Sequence, residues 1–223
     1  MPVCAPVPGR NPGTLLFDLD GTLVDSLPDL AAALNEVLVA DGLPPAPAES
    51  VRRYVGDGAK VMLERGFAAH GRPVPPTGFD HFLAVYESIL TRETRPFPGV
   101  EQALADLAGS GWTLAVCTNK TERFSRMILD GLGLAASFAA VAGGDSWPER
   151  KPDGRHLTRT LAQLGADPGG AAMIGDGLND VLAARDAGLP VVVVGWGYGE
   201  VAALGGDRVI RTMEELPEAL ATL

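Results

Sequence analysis

The fold of this chain is decided by a short stretch near its start, TLLFDLDGT, which occupies residues 14–22. Residues 14–17 form an apolar run of the length typical of a strand that is buried on both faces. Asp18 and Asp20 follow directly, and Gly21 allows the chain to turn sharply away from the strand. Because residues two apart in an extended chain point the same way, both carboxylates are expected to face one site.

Five further apolar runs are predicted to be strands of the same sheet. They occupy residues 112–117, 138–142, 171–174, 191–194 and 208–210. Segments with the apolar spacing of a helix lie between the later strands, at residues 99–109, 121–132, 156–164 and 178–187. Strands that alternate with helices indicate a doubly wound α/β fold with a mostly parallel, Rossmann-like sheet.

The region from residue 26 to residue 95 breaks this alternation, because it has helical spacing and no strand pattern. Four helical pieces are predicted, at residues 30–38, 51–54, 61–67 and 79–90. Pro96-Phe97-Pro98-Gly99 marks the return to the alternating pattern. We therefore expect an α/β core made of residues 1–25 and 96–223, with residues 26–95 inserted as a small α-helical domain.

Composition excludes several classes of function. The chain has 223 residues, 28 of them acidic and 18 basic, for a net charge of −10. This acidic excess argues against nucleic-acid polymers and anionic membranes as partners. Residues 1–13 have no apolar signal-peptide core, and Cys4 and Cys117 do not make a disulfide framework. We expect a cytoplasmic monomer or homodimer whose partner is a small substrate.

Polar residues follow the predicted strands, where ligands bind in doubly wound folds. Besides the first two aspartates they are Thr118, Asn119, Lys151, Asp176 and Asp180. Taken alone, each motif also fits an ordinary role, such as solvated acids at a strand end or acids in a first helical turn. Together, four carboxylates at one sheet edge favour a hard cation, with Mg²⁺ the natural choice. An ammonium and a hydroxyl can hold the remaining oxygens of a phosphoryl group.

Four motifs in this order resemble those of the haloacid dehalogenase superfamily. They are FDLDGTLVDS at residues 17–26, Thr118-Asn119, Lys151-Pro152 and GDGLND at residues 175–180. The helical insert also stands where that superfamily has its small α-helical cap. One departure is Asp153-Gly154-Arg155, which replaces a second proline-containing pair after Lys151-Pro152.

Within the superfamily, the chain most resembles bacterial phosphoglycolate phosphatases. The shared features are VGDG at residues 55–58, GGD at 143–145 and GWGYG at 195–199. The last segment is either a loop that touches the closed cap or a plain strand-to-helix connection. Residues 56–58 could bring backbone N–H groups close to a small anion. Four basic residues of the insert could pair with a substrate carboxylate, namely Arg52, Arg53, Lys60 and Arg65.

The resemblance implies roles for the two aspartates of the first motif. Asp18 would be the nucleophile that forms an aspartyl-phosphate. Asp20 would be the general acid for the leaving alcohol and afterwards the general base that activates water. The cap would close over the substrate and exclude bulk water.

The resemblance also implies a metal site and a phosphate site. Mg²⁺ would lie between Asp18, the backbone carbonyl of Asp20, and Asp176, while Asp180 would hold a metal-bound water or orient the lysine. The phosphoryl oxygens would be bound by the second and third motifs, that is, by Thr118, Asn119 and Lys151.

The expected function is hydrolysis of a small phosphomonoester, 2-phosphoglycolate first among them, by a Mg²⁺-dependent phosphatase. Two alternatives remain open: a phosphatase of another small substrate, either a sugar phosphate or pyrophosphate, and a phosphoglucomutase-type phosphomutase. A dehalogenase is disfavoured by Asp20, because that family generally lacks the second acid. A non-catalytic binding module is the remote alternative, since the nucleophile, acid, lysine and metal acids are all present.

Overall fold

A computed structural model describes residues 12–223, and a six-stranded parallel sheet lies at its centre. Eight strands occur in the described residues: β1 (Thr14–Phe17), β2 (Val24–Asp25), β3 (Arg95–Pro96), β4 (Thr113–Cys117), β5 (Ala140–Ala142), β6 (Ala171–Gly175), β7 (Val191–Val194) and β8 (Arg208–Ile210). The parallel sheet has the order β5-β4-β1-β6-β7-β8. All six sheet strands lie where the apolar runs predicted them, so the predicted α/β class is confirmed.

The order of the strands places β1 between β4 and β6. Phe17 pairs with Val116 of β4 on one side and with Ile174 of β6 on the other. Leu15 and Phe17 belong to the core on one face of the sheet, whereas Leu16 belongs to the core on the opposite face. Because all three strands end in register, the residues that follow them meet at one edge of the sheet.

Ten α-helices accompany these strands in the described residues. They are α1 (Leu27–Ala40), α2 (Ala48–Arg52), α3 (Ala59–Ala68), α4 (Gly78–Ile89), α5 (Val100–Gly109), α6 (Glu122–Gly131), α7 (Arg155–Leu164), α8 (Leu178–Ala187), α9 (Val201–Leu204) and α10 (Leu216–Leu220). The four helices predicted between the sheet strands correspond to α5–α8, and the four helical pieces of the insert correspond to α1–α4.

Helices α1–α4 pack against one another through large apolar side chains. Leu34, Phe67 and Phe82 are buried, and the rings of Phe82 and Tyr86 stack with their centroids 5.6 Å apart. Gly66 lets α3 approach α1, because a Cβ there would lie 2.8 Å from a methyl carbon of Leu34. The division of the chain into residues 1–25 and 96–223 and the inserted residues 26–95 stays a prediction.

A two-stranded antiparallel ribbon joins the helices α1–α4 to the rest of the chain. In it Val24 pairs with Pro96 and Asp25 pairs with Arg95. The ribbon strands β2 and β3, and the short helices α9 and α10, were not predicted. A strand of two residues, or a helix of about one turn, is too short to show an apolar repeat of its own.

The departure from the superfamily pattern at residues 153–155 is accommodated at the start of α7. The Arg155 N–H donates to Asp153 Oδ1 at 2.9 Å. Gly154 stands against the end of α8, where a Cβ would lie 2.5 Å from the nitrogen of Ala187. Residues 1–11 lie outside the described residues, and with them Cys4 and most of the stretch expected to lack a signal peptide. Among the described residues, no helix has the length and apolar character needed to span a bilayer.

Candidate active site

The predicted site residues come together at the carboxyl edge of the sheet. Asp18 follows β1, Thr118 follows β4, and Asp176 follows β6, while Lys151 comes from the loop between β5 and α7. The Asp18 N–H still donates to the carbonyl of Ile174 at 2.9 Å, which continues the sheet pairing to the edge of the site. Three parallel strands that end in register therefore bring residues more than 150 positions apart to one place.

Lys151 is a buried cation held between two carboxylates. Its Nζ lies 2.5 Å from Asp180 Oδ1 and 3.0 Å from Asp18 Oδ1. Burial alone would lower the pKa of Lys151, but the carboxylates of Asp18 and Asp180 raise it above its ordinary value. The side chain therefore stays an ammonium ion. Asp180 also accepts the Gly177 N–H at 2.9 Å through Oδ2, so it closes the first turn of α8 as well.

Three carboxylates form a cluster that is able to hold a metal ion. Asp18, Asp176 and Asp180 each offer an oxygen, and these atoms lie within 4.8 Å of one another. Burial and the neighbouring carboxylates raise the pKa of Asp176 to about 8. Burial likewise raises the pKa of Asp180 to about 6, although Lys151 acts in the opposite direction. A cation among these oxygens would relieve both the burial and the repulsion.

Asp176 is positioned by two segments that are distant in the sequence. Its Oδ1 accepts the hydroxyl of Thr22 at 3.1 Å, and its Oδ2 accepts the backbone N–H of Tyr198 at 2.6 Å. The second contact requires Gly197, because a Cβ there would lie only 2.1 Å from the Cβ of Asp176. The GWGYG segment connects β7 to α9, and it also takes part in the site through these contacts.

Asp20 is not a member of the carboxylate cluster and is held by other residues. Its Oδ1 accepts the hydroxyl of Ser26 at 2.5 Å, and its Oδ2 lies 2.8 Å from Nζ of Lys120. Sequence reasoning did not single out Lys120. Its position directly after the Thr118-Asn119 motif, at the end of a sheet strand, was the signal that could have identified it. A metal-binding role for the Asp20 carbonyl stays a prediction.

The second motif divides its contacts between the site and the helices α1–α4. Thr118 is buried and lines the cavity described below, and its hydroxyl accepts the Lys120 N–H at 3.3 Å. Asn119 donates through Nδ2 to the carbonyls of Gly56 and Lys151, each at 2.9 Å. Both Nδ2 donors of Asn119 are therefore used by main-chain carbonyls, and a phosphate-binding role for this side chain stays a prediction.

The loop between α2 and α3 docks directly on the site. Asn179 of the fourth motif donates to Asp57 Oδ1 at 2.7 Å, and Arg65 pairs with Asp57 Oδ2 at 2.5 Å. The carbonyl of Gly56 is turned toward the site and accepts hydrogen bonds from both asparagine side chains, Asn119 and Asn179. The segment at residues 56–58 therefore contacts the core through a carbonyl and a carboxylate.

The four basic residues proposed as carboxylate partners have different surroundings. Arg65 is paired with Asp57, and Arg52 donates to the carbonyl of Gly197 and lies over the ring of Tyr198. Arg53 makes exposed contacts with its own helix, and Lys60 is exposed at the rim of the cavity. None of these contacts connects the four residues to the carboxylates of the site.

A cavity of about 510 Å³ lies between the helices α1–α4 and the sheet edge. Its size is within the range of small-molecule sites in proteins. All seven predicted site residues line it: Asp18, Asp20, Thr118, Asn119, Lys151, Asp176 and Asp180. The structure therefore gathers the complete predicted set around one cavity.

The sequence matches a protein-family model over most of its length. The family model described as "Haloacid dehalogenase-like hydrolase" matches residues 15–194. The chain belongs to the haloacid dehalogenase-like hydrolase family, so the resemblance found from the four motifs is confirmed and the protein is an enzyme of the hydrolase class.

Curated relatives and solved structures agree with this membership. The chain is 48% identical over 219 residues to a phosphoglycolate phosphatase of Caulobacter vibrioides, which covers 96% of this chain and 92% of the relative. It is 42% identical to a phosphoglycolate phosphatase of Agrobacterium fabrum over 92% of this chain and 91% of the relative. A crystal structure described as a predicted phosphoglycolate phosphatase from Haemophilus somnus has a TM-score of 0.86 at 31% identity, covering 92% of this chain and 96% of that chain.

Proposed function

We propose that this enzyme is a Mg²⁺-dependent phosphatase that hydrolyses 2-phosphoglycolate to glycolate and phosphate through an aspartyl-phosphate on Asp18. The observation that carries the proposal is the arrangement of Lys151 between Asp18 and Asp180 beside Asp176, in a cavity of small-molecule size. The substrate is taken from relatives that carry the name phosphoglycolate phosphatase at up to 48% identity.

The carboxylate cluster supports a bound divalent cation. Oxygen atoms of Asp18, Asp176 and Asp180 crowd within 4.8 Å of one another, and the single Lys151 ammonium, 3.0 Å from Asp18 Oδ1, balances only part of the charge of three carboxylates. An all-oxygen set of this charge suits Mg²⁺. Asp18, Asp176 and the carbonyl of Asp20 would hold the ion, which when bound neutralises charge on the phosphoryl oxygens. We also propose that Asp180 keeps Lys151 in place.

Asp18 is proposed to attack the phosphorus atom of the ester. A new oxygen–phosphorus bond forms as the bond to the glycolate oxygen breaks, and the electron pair leaves with that oxygen. Lys151, 3.0 Å from Asp18 Oδ1, neutralises charge on the side of the nucleophile. Thr118, buried at the same edge, is proposed to donate to a phosphoryl oxygen.

Asp20 is proposed to move the protons of both half-reactions. It donates a proton to the departing glycolate oxygen, and it then accepts a proton from the water that attacks the aspartyl-phosphate. The products are glycolate, inorganic phosphate and free Asp18. The contacts of Asp20 with Ser26 and Lys120 keep its carboxylate directed toward the cavity rather than into the carboxylate cluster.

Helices α1–α4 are proposed to act as the cap of this site. Their loop at Gly56 and Asp57 is hydrogen-bonded to Asn119 and Asn179, which encloses the cavity above the sheet edge. Exclusion of bulk water strengthens the electrostatic interactions inside. A cytoplasmic location and a monomeric or homodimeric state stay predictions.

Phosphate release from a panel of phosphomonoesters, measured as kcat/KM with Mg²⁺ and with a chelator, tests the proposal. We expect 2-phosphoglycolate to be the best substrate and activity to vanish with the chelator. Asp18→Asn should lower kcat by roughly 10³-fold or more without a change in fold. Higher activity on another ester would overturn the substrate, a required sugar bisphosphate would indicate a phosphomutase, and an active Asp18→Asn variant would overturn the nucleophile.

A further inference from the structure

Lys120 is a buried cation in the cavity to which the four motifs give no role. Its side chain is only 6% exposed, and its Nζ lies 2.8 Å from Asp20 Oδ2 and 4.8 Å from the ring centroid of Tyr86. Burial alone would lower the pKa of Lys120, but the Asp20 carboxylate raises it above its ordinary value. The cavity therefore contains a permanent ammonium ion next to the proposed general acid.

Tyr86 brings a second unused donor to the same place. It belongs to α4, it is 1% exposed, and it lines the cavity. Its ring is held by Phe82, which stacks on it, and by Phe124, which packs edge-on with centroids 5.7 Å apart. Its hydroxyl oxygen is buried and has no hydrogen bond of normal geometry, although the Lys120 ammonium lies close enough to interact with it. Buried hydroxyls are nearly always paired, so this one indicates a polar group supplied by a ligand.

We propose that Lys120 and Tyr86 form a subsite that binds the carboxylate of the substrate's leaving group. The inference rests on the proposed function and assigns the residues that read the non-phosphoryl end of the substrate. The subsite joins the two halves of the cavity, since Lys120 follows a sheet strand and Tyr86 lies on a helix of the proposed cap.

The covalent structure of 2-phosphoglycolate matches this placement. Its carboxylate carbon is two bonds from the ester oxygen, and that oxygen would lie beside Asp20 to receive its proton. Lys120 touches Asp20 directly, so its ammonium stands next to the position of the carboxylate. An ammonium has three N–H donors, which leaves two after the contact with Asp20, and the Tyr86 hydroxyl adds another.

Other cations around the cavity are either exposed, as Lys60 and Arg150 are, or already engaged with other groups. Lys151 is held by Asp18 and Asp180, and Arg65 is held by Asp57. The sequence has three lysines against fifteen arginines, and two of those lysines are the buried pair at positions 120 and 151. The compact ammonium of a lysine fits a crowded site better than the larger, planar guanidinium of an arginine.

The test compares two substrates in each variant, 2-phosphoglycolate and ethyl phosphate, which is of similar length and has no carboxylate. The measured quantity is the ratio of their kcat/KM values. Because Lys120 also contacts Asp20, Lys120→Met is expected to lower turnover of both substrates, and the ratio cancels that common loss. A lost hydrogen bond to a charged group corresponds to roughly a 10- to 100-fold fall in the ratio.

Three more variants complete the experiment. Tyr86→Phe keeps the ring and removes only the hydroxyl, so the ratio should fall roughly 5-fold or more while ethyl phosphate turnover changes little. Lys120→Arg should keep part of the preference, because the charge is retained. Arg185→Met is the control: it removes an equal charge from an exposed ion pair with Asp207, and it should leave the ratio unchanged.

The possible outcomes distinguish a failure of the proposed subsite from a failure of the proposed phosphatase function. Equal losses on both substrates in Lys120→Met and Tyr86→Phe, with folding intact by thermal melting, would overturn the subsite and leave the phosphatase in place. A wild-type enzyme that is active on both esters without preference would overturn the subsite and the substrate together. A wild-type enzyme that releases no phosphate from either ester in Mg²⁺ would overturn the proposed function.

Discussion

Tyr198→Phe tests how the GWGYG segment holds the junction between the sheet and the helices α1–α4. The Tyr198 hydroxyl accepts the N–H groups of Ser26 and Leu27 at 2.9 and 3.0 Å, and it donates to Asp25 Oδ1 at 2.8 Å. One phenol oxygen thus provides hydrogen-bond partners for polar groups at the end of the ribbon strand β2 and at the start of α1. The substitution removes that oxygen and keeps the ring.

The expected loss in the free energy of unfolding follows from these three hydrogen bonds. Leu27 keeps a weaker partner, since its N–H also lies 3.3 Å from Asp25 Oδ1. Ser26 N–H loses its acceptor, and the buried end of Asp25 loses a donor, each change costing roughly 1–3 kcal/mol at a buried position. Because water can reach part of this junction, we expect the variant to be less stable by about 2–4 kcal/mol. For a chain of this size that corresponds to a fall in Tm of roughly 4–16 °C.

Thermal unfolding by calorimetry, supported by urea titration, measures this loss. Tyr54→Phe is the matched control, because the Tyr54 hydroxyl makes no hydrogen bond in the described part of the chain. The proposed Mg²⁺ dependence should persist below the melting transition, because the contact with Asp176 uses the backbone N–H of residue 198. A fall in Tm no larger than that of Tyr54→Phe would refute the reasoning.

Two further predictions concern buried polar groups outside the cavity. Asp29 accepts the N–H groups of Glu93 and Thr94 and the Thr94 hydroxyl at 2.8–2.9 Å, so Asp29→Ala should cost about 3–5 kcal/mol in urea unfolding, with Asp29→Asn milder. Burial and Lys151 lower the pKa of His156 to about 4, below its unfolded value of about 6.5. The contribution of His156 to the free energy of unfolding is therefore fully present above pH 6.5, and it is lost as the pH falls toward 4. Between pH 7 and pH 5 the free energy of unfolding should fall by about 2 kcal/mol because of His156, and this fall should be absent in His156→Leu. Equal losses in the wild type and in His156→Leu would contradict the prediction.

The sequence was sufficient to predict the sheet and the cluster of site residues. Continuous apolar runs identify strands buried on both faces, and strand ends in a parallel sheet share one edge. These two rules alone bring Asp18, Thr118 and Asp176 together, and the structure has them there. Helical spacing likewise identified α1 and α3–α8 to within a few residues, since those helices bury one face.

Contacts between side chains from distant parts of the chain could not be predicted by such rules. The pairing of Lys120 with Asp20 and the closeness of Tyr86 depend on how α4 packs over the sheet edge, which no local pattern encodes. The docking of Asp57 on Asn179 depends on how the loop between α2 and α3 packs against the start of α8. Periodicity describes one element at a time, whereas these contacts depend on the relative position of two elements.

The surroundings of Asp176 show why the role of the GWGYG segment could not be predicted from the sequence. As a string of small and aromatic residues it fits a turn, and glycine is ordinary in turns. In the structure Gly197 is required by the 2.1 Å approach to Asp176, and Tyr198 uses its N–H on that carboxylate and its hydroxyl on the ribbon leading to α1. One residue therefore joins the carboxylate cluster to the base of the proposed cap. A change in the position of α1 relative to the sheet has to move Tyr198 or break its hydrogen bonds, and either event alters the support of Asp176.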